Sequence, residues 1–125
     1  ALKRRDQNIQ KLDSAYNSTV QFINQPLGHF DINKAIRHYK AFKGRVIIQS
    51  LFLQGTYNGQ AVDNTTEKEL QAWLQAVQEI GPEKVMVYTI ARDTPARNLR
   101  KISAENLQDI AESVKELGIP VSVAT

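Results

Sequence analysis

The sequence predicts an α/β fold: a parallel sheet of about four strands joined by crossover helices. Three observations predict it. Apolar runs of strand length stand at residues 45–53, 85–90 and 119–123; helical stretches of ten or more residues separate them; and Gly or Pro marks the joins. Connections of that length imply parallel pairing with right-handed crossovers. Such a sheet is either open or part of a barrel. In both, ligands sit beyond the carboxyl ends of the strands.

The elements follow in order. Ile9-Gln10-Lys11-Leu12-Asp13 reads as a short first strand, and residues 17–24, with Val20, Phe22 and Ile23, as a short helix stopped near Pro26. After the turn Pro26-Leu27-Gly28, Asp31 caps a helix with Ile32, Ala35, Ile36, Tyr39 and Phe42 at helical spacing, and Gly44 stands where a C-cap glycine would. Residues 46–53 are apolar on both faces, the pattern of a strand covered by helices on both sides. Gly55-Thr56-Tyr57-Asn58-Gly59 reads as a loop. Asn64 before Thr65-Thr66-Glu67 resembles a capping box, and Leu70, Trp73, Leu74, Val77 and Ile80 form one stripe of the next helix, which ends at Gly81-Pro82. A second buried strand, a polar loop with Pro95, a helix started by Ser103 and Asn106 and closed by Gly118, and a last strand starting near Pro120 complete the chain.

The 125 residues fit a single α/β unit, residues 1–125, with 42% hydrophobic and 23% charged residues, close to the globular average. The longest apolar runs are far too short for a bilayer, and no apolar h-region follows Ala1-Leu2-Lys3-Arg4-Arg5. The absence of cysteine excludes disulfides, thiol catalysis and thiolate-ligated metals within these residues, and a cytosolic, reducing location is the expectation. The charge is uneven. Residues 1–45 hold nine Lys or Arg against three acids, and the remaining eighty residues hold seven bases against ten acids. This is either a basic face for anions or nucleic acid or a solvated helix surface.

Polar residues near strand ends are the site candidates. Lys11 and Asp13, two apart on a strand, point the same way; Gln49 and Ser50 interrupt an apolar run; Tyr88, Thr89 and Arg92 stand at the end of the strand at 85–90. Gln49, if buried, needs partners, either a ligand or a neighbouring side chain. Arg92 suits a carboxylate or phosphate, or an ion pair with Asp93. There is no GxGxxG, no GxxxxGK[ST] and no GxSxG. His29 and His38 lie nine apart and form no helical metal pair; surface roles are expected for both, and Glu67, Glu69, Glu105 and Glu112 read as solvated or dipole-compensating. No metal ligand and no catalytic residue is assigned.

The run Lys11-Leu12-Asp13-Ser14 with Phe22-Ile23-Asn24-Gln25-Pro26, then residues 46–53 with Gly55 and Val62-Asp63-Asn64-Thr65, then residues 82–92, resembles a series of segments in radical SAM enzymes. The similarity is to iron–sulfur oxidoreductases near the wyosine-base synthases and glycyl-radical activases, and it spans roughly residues 9–118. It implies half of a partial (β/α)6 TIM-like barrel. In that family a CxxxCxxC loop after the first strand binds a [4Fe–4S] cluster, whose fourth iron chelates S-adenosylmethionine for reductive cleavage. The resemblance places Lys11 and Asp13 on the fourth strand of such a barrel, Gln49 and Ser50 on the fifth, and Tyr88, Thr89 and Arg92 on the sixth, as residues approaching S-adenosylmethionine. The cluster loop is absent from this sequence. The resemblance therefore implies the carboxyl-terminal half of an enzyme whose cofactors, S-adenosylmethionine and the [4Fe–4S] cluster, are not expected to bind stably to these residues alone. Its expected partner is the amino-terminal half of the same chain, with no membrane contact and self-association through an open sheet edge as another outcome. The other reading is a non-catalytic α/β module binding a ligand or nucleic acid.

Overall fold

A computed structural model describes residues 8–24, 31–57, 60–90 and 99–124. The elements are β1 (Asn8–Lys11), α1 (Asn17–Asn24), α2 (Ile32–Lys40), β2 (Val46–Tyr57), β3 (Gln60–Asp63), α3 (Glu67–Ile80), β4 (Lys84–Thr89), β5 (Leu99–Lys101), α4 (Ala104–Lys115) and β6 (Val121–Ala124). The four expected strands form a parallel ladder in the order β1-β2-β4-β6. Each new strand lies beyond the previous one, so the sheet winds in one direction without the reversal of a doubly wound fold.

Winding in one direction with right-handed crossovers stacks the helices on one side of the sheet. The main core confirms this. It joins Val20, Ile36, Trp73, Val77, Leu107 and Val114 from the helices to Val46, Ile48, Phe52, Val85 and Val87 from alternate strand positions. The opposite face carries Ile9, Lys11, Ile47, Gln49, Leu51, Met86 and Tyr88, and no helix among the described residues covers it. This corrects the expectation of helices on both sides of residues 46–53. The second apolar face of β2 belongs to the interior side of a half-barrel.

Local chemistry sets the helix ends. The Asp31 carboxylate accepts from the N–H groups of Asn33 and Lys34 and caps α2. Thr66, rather than Asn64, caps α3 through the Glu69 N–H, and Gly81 ends it in the left-handed conformation at φ 63°. Ser103 caps α4 through the Asn106 N–H. Helix α2 ends earlier than Gly44 suggests. Its C-cap is Ala41, and Lys43 and Gly44 both take positive φ, 53° and 87°, to turn the chain into β2.

Two features depart from the expected order. The segment read as a loop after residue 53 continues β2 to Tyr57, and it carries two short antiparallel strands. β3 pairs with residues 54–57 and β5 with residues 53–55. The carboxyl end of β2 thus projects past the parallel ladder as the middle of a small antiparallel wing.

Candidate functional site

The first strand tip is held from every side. β1 stops pairing at Lys11, opposite Gln49, although β2 runs on. The Leu12 N–H donates to the Gln49 carbonyl (3.0 Å). The Leu12 carbonyl accepts from the Ser50 hydroxyl (2.5 Å) and from Trp73 Nε1 (3.1 Å). The Lys11 carbonyl accepts from the Tyr39 hydroxyl at 3.0 Å, and the Asp13 carbonyl from Asn64 Nδ2 at 2.9 Å.

Two side chains then replace a strand along the edge of β2. Asp13 Oδ1 accepts from the Leu51 N–H (2.8 Å). Asn64 donates Nδ2–H to the Leu51 carbonyl (2.7 Å) and accepts from the Leu53 N–H through Oδ1 (2.9 Å). From residue 54 onward β3 takes over the pairing. Buried backbone polar groups must be paired. The edge between β1 and β3 meets that demand with a carboxylate and an amide, both about 1% exposed.

Asp13 also meets Lys11 Nζ at 3.4 Å; its own side chain is buried while that of Lys11 is 47% exposed. From the sequence the pair reads as a ligand site if it faces inward and as solvated if it faces outward. The structure makes Asp13 an edge-pairing group that also holds the Lys11 ammonium at the tip. Burial, and secondarily the Asp13 charge, pushes the Tyr39 hydroxyl above its ordinary pKa. A raised folded pKa means the unfolded chain loses this proton first, so stability falls as pH climbs through and above about 10. Denaturant melts between pH 9 and 11 should show that fall, and Tyr39→Phe should flatten it.

The remaining candidates divide by sheet parity. Gln49 is the register partner of Lys11 and of Met86, and Tyr88 stands opposite Leu51 one step nearer the carboxyl end. Lys11, Gln49 and Tyr88 therefore share the helix-free face. Gln49 is half-buried, not enclosed, and its amide has no hydrogen-bond partner among the described residues. Ser50 and Thr89 lie on the helix side. The Ser50 hydroxyl accepts from Trp73 Nε1 (2.9 Å) besides binding Leu12, and the Thr89 hydroxyl donates to the Phe52 carbonyl (2.6 Å) while accepting from the Ile102 N–H (2.9 Å). Both hydroxyls serve the packing of strand tips. Arg92 lies outside the described residues, as does His29; His38 is exposed on α2.

A cleft of about 430 Å³ opens at the carboxyl ends of β4 and β6, lined in part by Tyr88, Thr89, Lys101, Ser103 and Ala124. Lys101 has no signal in the sequence, because β5 has no apolar run to mark it as a strand, and Ser103 reads there only as a helix start. Glu69, read as solvated or dipole-compensating, stands in the first turn of α3 and also accepts from the hydroxyls of Ser14, in the loop after β1, and Thr19, on α1, both at 2.6 Å. Among the described residues no three His, Asp, Glu or Cys side chains gather as a metal site. No helix among them is long and apolar enough to cross a membrane.

The class these observations define is a singly wound parallel α/β half-barrel, with Lys11, Gln49 and Tyr88 on the face that no described helix covers. Among solved structures the chain is similar to a radical SAM methyltransferase from Sphaerobacter thermophilus, at a TM-score of 0.62 and 18% identity over 93% of this chain and 33% of that one. It is also similar to a domain of pyruvate-formate lyase-activating enzyme from Bacteroides vulgatus, at 0.61 and 14% identity over 94% of this chain and 66% of that one. These likenesses show the fold. The chain spans a third of the first structure's length and just under two thirds of the second's. No protein-family model and no curated protein matches by sequence.

Proposed function

We propose that this chain forms the carboxyl-terminal half of a radical SAM barrel and supplies one wall of an S-adenosylmethionine site. The observation that carries the reading is the shared face. Lys11, Gln49 and Tyr88 come from three parallel strands wound in one direction, and all three face the side that no described helix covers. The order of motifs along the sequence and the partial coverage of both fold neighbours support it.

The two cofactors divide between the halves. The residues present do not fit a [4Fe–4S] cluster, since the chain offers no thiolate and no clustered ligands among the described residues. Its ligands belong to the amino-terminal half. S-adenosylmethionine fits the face better. Gln49 offers an amide to a carboxylate or hydroxyl, Lys11 a cation fixed by Asp13, and Tyr88 a half-buried ring beside the cleft. Arg92 remains a further anion-binding candidate. Ser50 and Thr89 act as positioning residues beneath the face.

The test pairs two neighbours of opposite parity in the protein carrying both halves. Gln49→Leu is expected to weaken S-adenosylmethionine binding by about tenfold, the loss of one good hydrogen bond, with little change in melting temperature. Ser50→Ala is expected to do the reverse, costing about 1 kcal/mol of stability with binding unchanged. Equilibrium dialysis and thermal melts read both. Unchanged affinity in Gln49→Leu removes the proposed wall. A native reading frame with no CxxxCxxC upstream removes the parent enzyme.

A further inference from the structure

A strongly cationic surface lies on the exposed side of α2 and the turn after it, away from the face just described. No Asp or Glu occurs between Asp31 and Asp63. Within that interval Lys34, Arg37, His38, Lys40, Lys43 and Arg45 are all exposed. Lys40 meets Glu79 at 3.2 Å, both side chains about half exposed. No carboxylate among the described residues pairs with Lys34, Arg37, Lys43 or Arg45.

Helix electrostatics explains only part of this. Arg37, His38 and Lys40 stand in the last turn of α2, where cations are favoured. Lys34 stands in the first turn, where a cation is disfavoured, and Lys43 and Arg45 lie beyond the helix. Lys34–Arg37 and Arg37–Lys40 are like-charged pairs three residues apart, each unfavourable by a few tenths of a kcal/mol. Apart from Lys40, these cations meet no compensating carboxylate among the described residues, which leaves them open to an external anion.

The geometry narrows the anion. From Lys34 to Lys40 the helix rises about 9 Å, and the turn carrying Lys43 lengthens the row, enough to meet several phosphates of a duplex. The apolar side of α2, Ile32, Ile36 and Tyr39, is buried in the core, leaving nothing to insert into a lipid surface. Among the described residues Tyr39 is buried and Phe42 half-buried, so no fully exposed ring stands among these cations to stack on an unpaired base. We infer that the α2 face binds double-helical nucleic acid through its phosphate backbone, without base specificity. The inference stands apart from the S-adenosylmethionine reading.

The test is fluorescence anisotropy with the full chain and a labelled duplex RNA of about 20 base pairs, from about 50 to 200 mM salt. Binding is expected at low salt, with an affinity that falls steeply as salt rises. The triple variant Lys34→Gln, Arg37→Gln, Lys43→Gln should lose at least tenfold in affinity at low salt, and its log–log salt slope should shrink by about 2–3. Its melting temperature should match the parent's, because all three side chains are exposed. Lys68→Gln with Lys115→Gln, on α3 and α4, removes charge elsewhere and should leave binding unchanged. No duplex binding at low salt overturns the inference. So does equal loss in both variants, which would mean net charge alone, and so does capture by phosphatidylserine vesicles without capture by the duplex.

Discussion

Replacing Asn64 by alanine should cost the fold about 3–5 kcal/mol, far more than a typical polar substitution. One side chain satisfies three backbone groups: the Leu53 N–H, the Leu51 carbonyl and the Asp13 carbonyl. The first two lie along the edge of β2 where neither β1 nor β3 reaches, and the third just past the end of β1. Alanine leaves them buried without partners, at about 1–3 kcal/mol for each that water cannot reach. For a chain of this length the melting temperature should fall on the order of 10–20 °C. Asn64→Asp is the informative companion. It keeps the acceptor for Leu53 but places carboxylate oxygens against two carbonyls, so it should be at least as damaging. A loss below about 1 kcal/mol in Asn64→Ala would show that the gap between β1 and β3 is hydrated.

The same region shows what a sequence discloses and what it withholds. The parallel strands were legible because runs such as Val46-Ile47-Ile48 and Val85-Met86-Val87 are too apolar for anything but a covered sheet. Asp31, Ser103 and Gly81 announced their helix ends through local bonds, which a reader can test residue by residue. Gln60-Ala61-Val62-Asp63 and Leu99-Arg100-Lys101 gave no such sign. They are strands only because the tail of β2 offers both its edges, a condition set by distant segments. Asn64 carried the composition of a cap and does the work of a missing strand residue; one position two places on, Thr66, takes the cap. Gln49 and Ser50 illustrate the parity problem. Adjacent strand residues face opposite sides, and nothing local says which side the helices choose. The placement of the candidates was therefore half legible. Lys11, Gln49 and Tyr88 share the face that no described helix covers, whereas the Ser50 and Thr89 hydroxyls bond backbone on the helix side.

Trp73→Ala carries the largest expected loss, because packing and hydrogen bonding converge there. The indole is 1% exposed and meets Phe52 edge-on, with ring centroids 5.1 Å apart at 87°. Truncation removes that aromatic pair and leaves a cavity at the centre of the main core, at about 3–5 kcal/mol. It also removes the donor shared by the Leu12 carbonyl and Ser50 Oγ. A loss of this size is a large fraction of the whole stability of a domain, about 5–15 kcal/mol, so the variant is expected to be partly unfolded at 37 °C. Trp73→Phe separates the two contributions. It keeps most of the packed ring and deletes the N–H, and should cost about 1–2 kcal/mol. Leu12 retains the Ser50 hydroxyl in that variant, so the tip of β1 should stay in place while its clamp loosens. Amide exchange at Leu12 and Leu51 reads this directly. Faster exchange at those two sites, with the core of α3 still protected, is the expected pattern. Uniform exchange across β1, β2 and α3 would instead mean that Trp73 holds the core alone and that the strand tip, with Lys11 upon it, is fixed by Asp13 and Asn64.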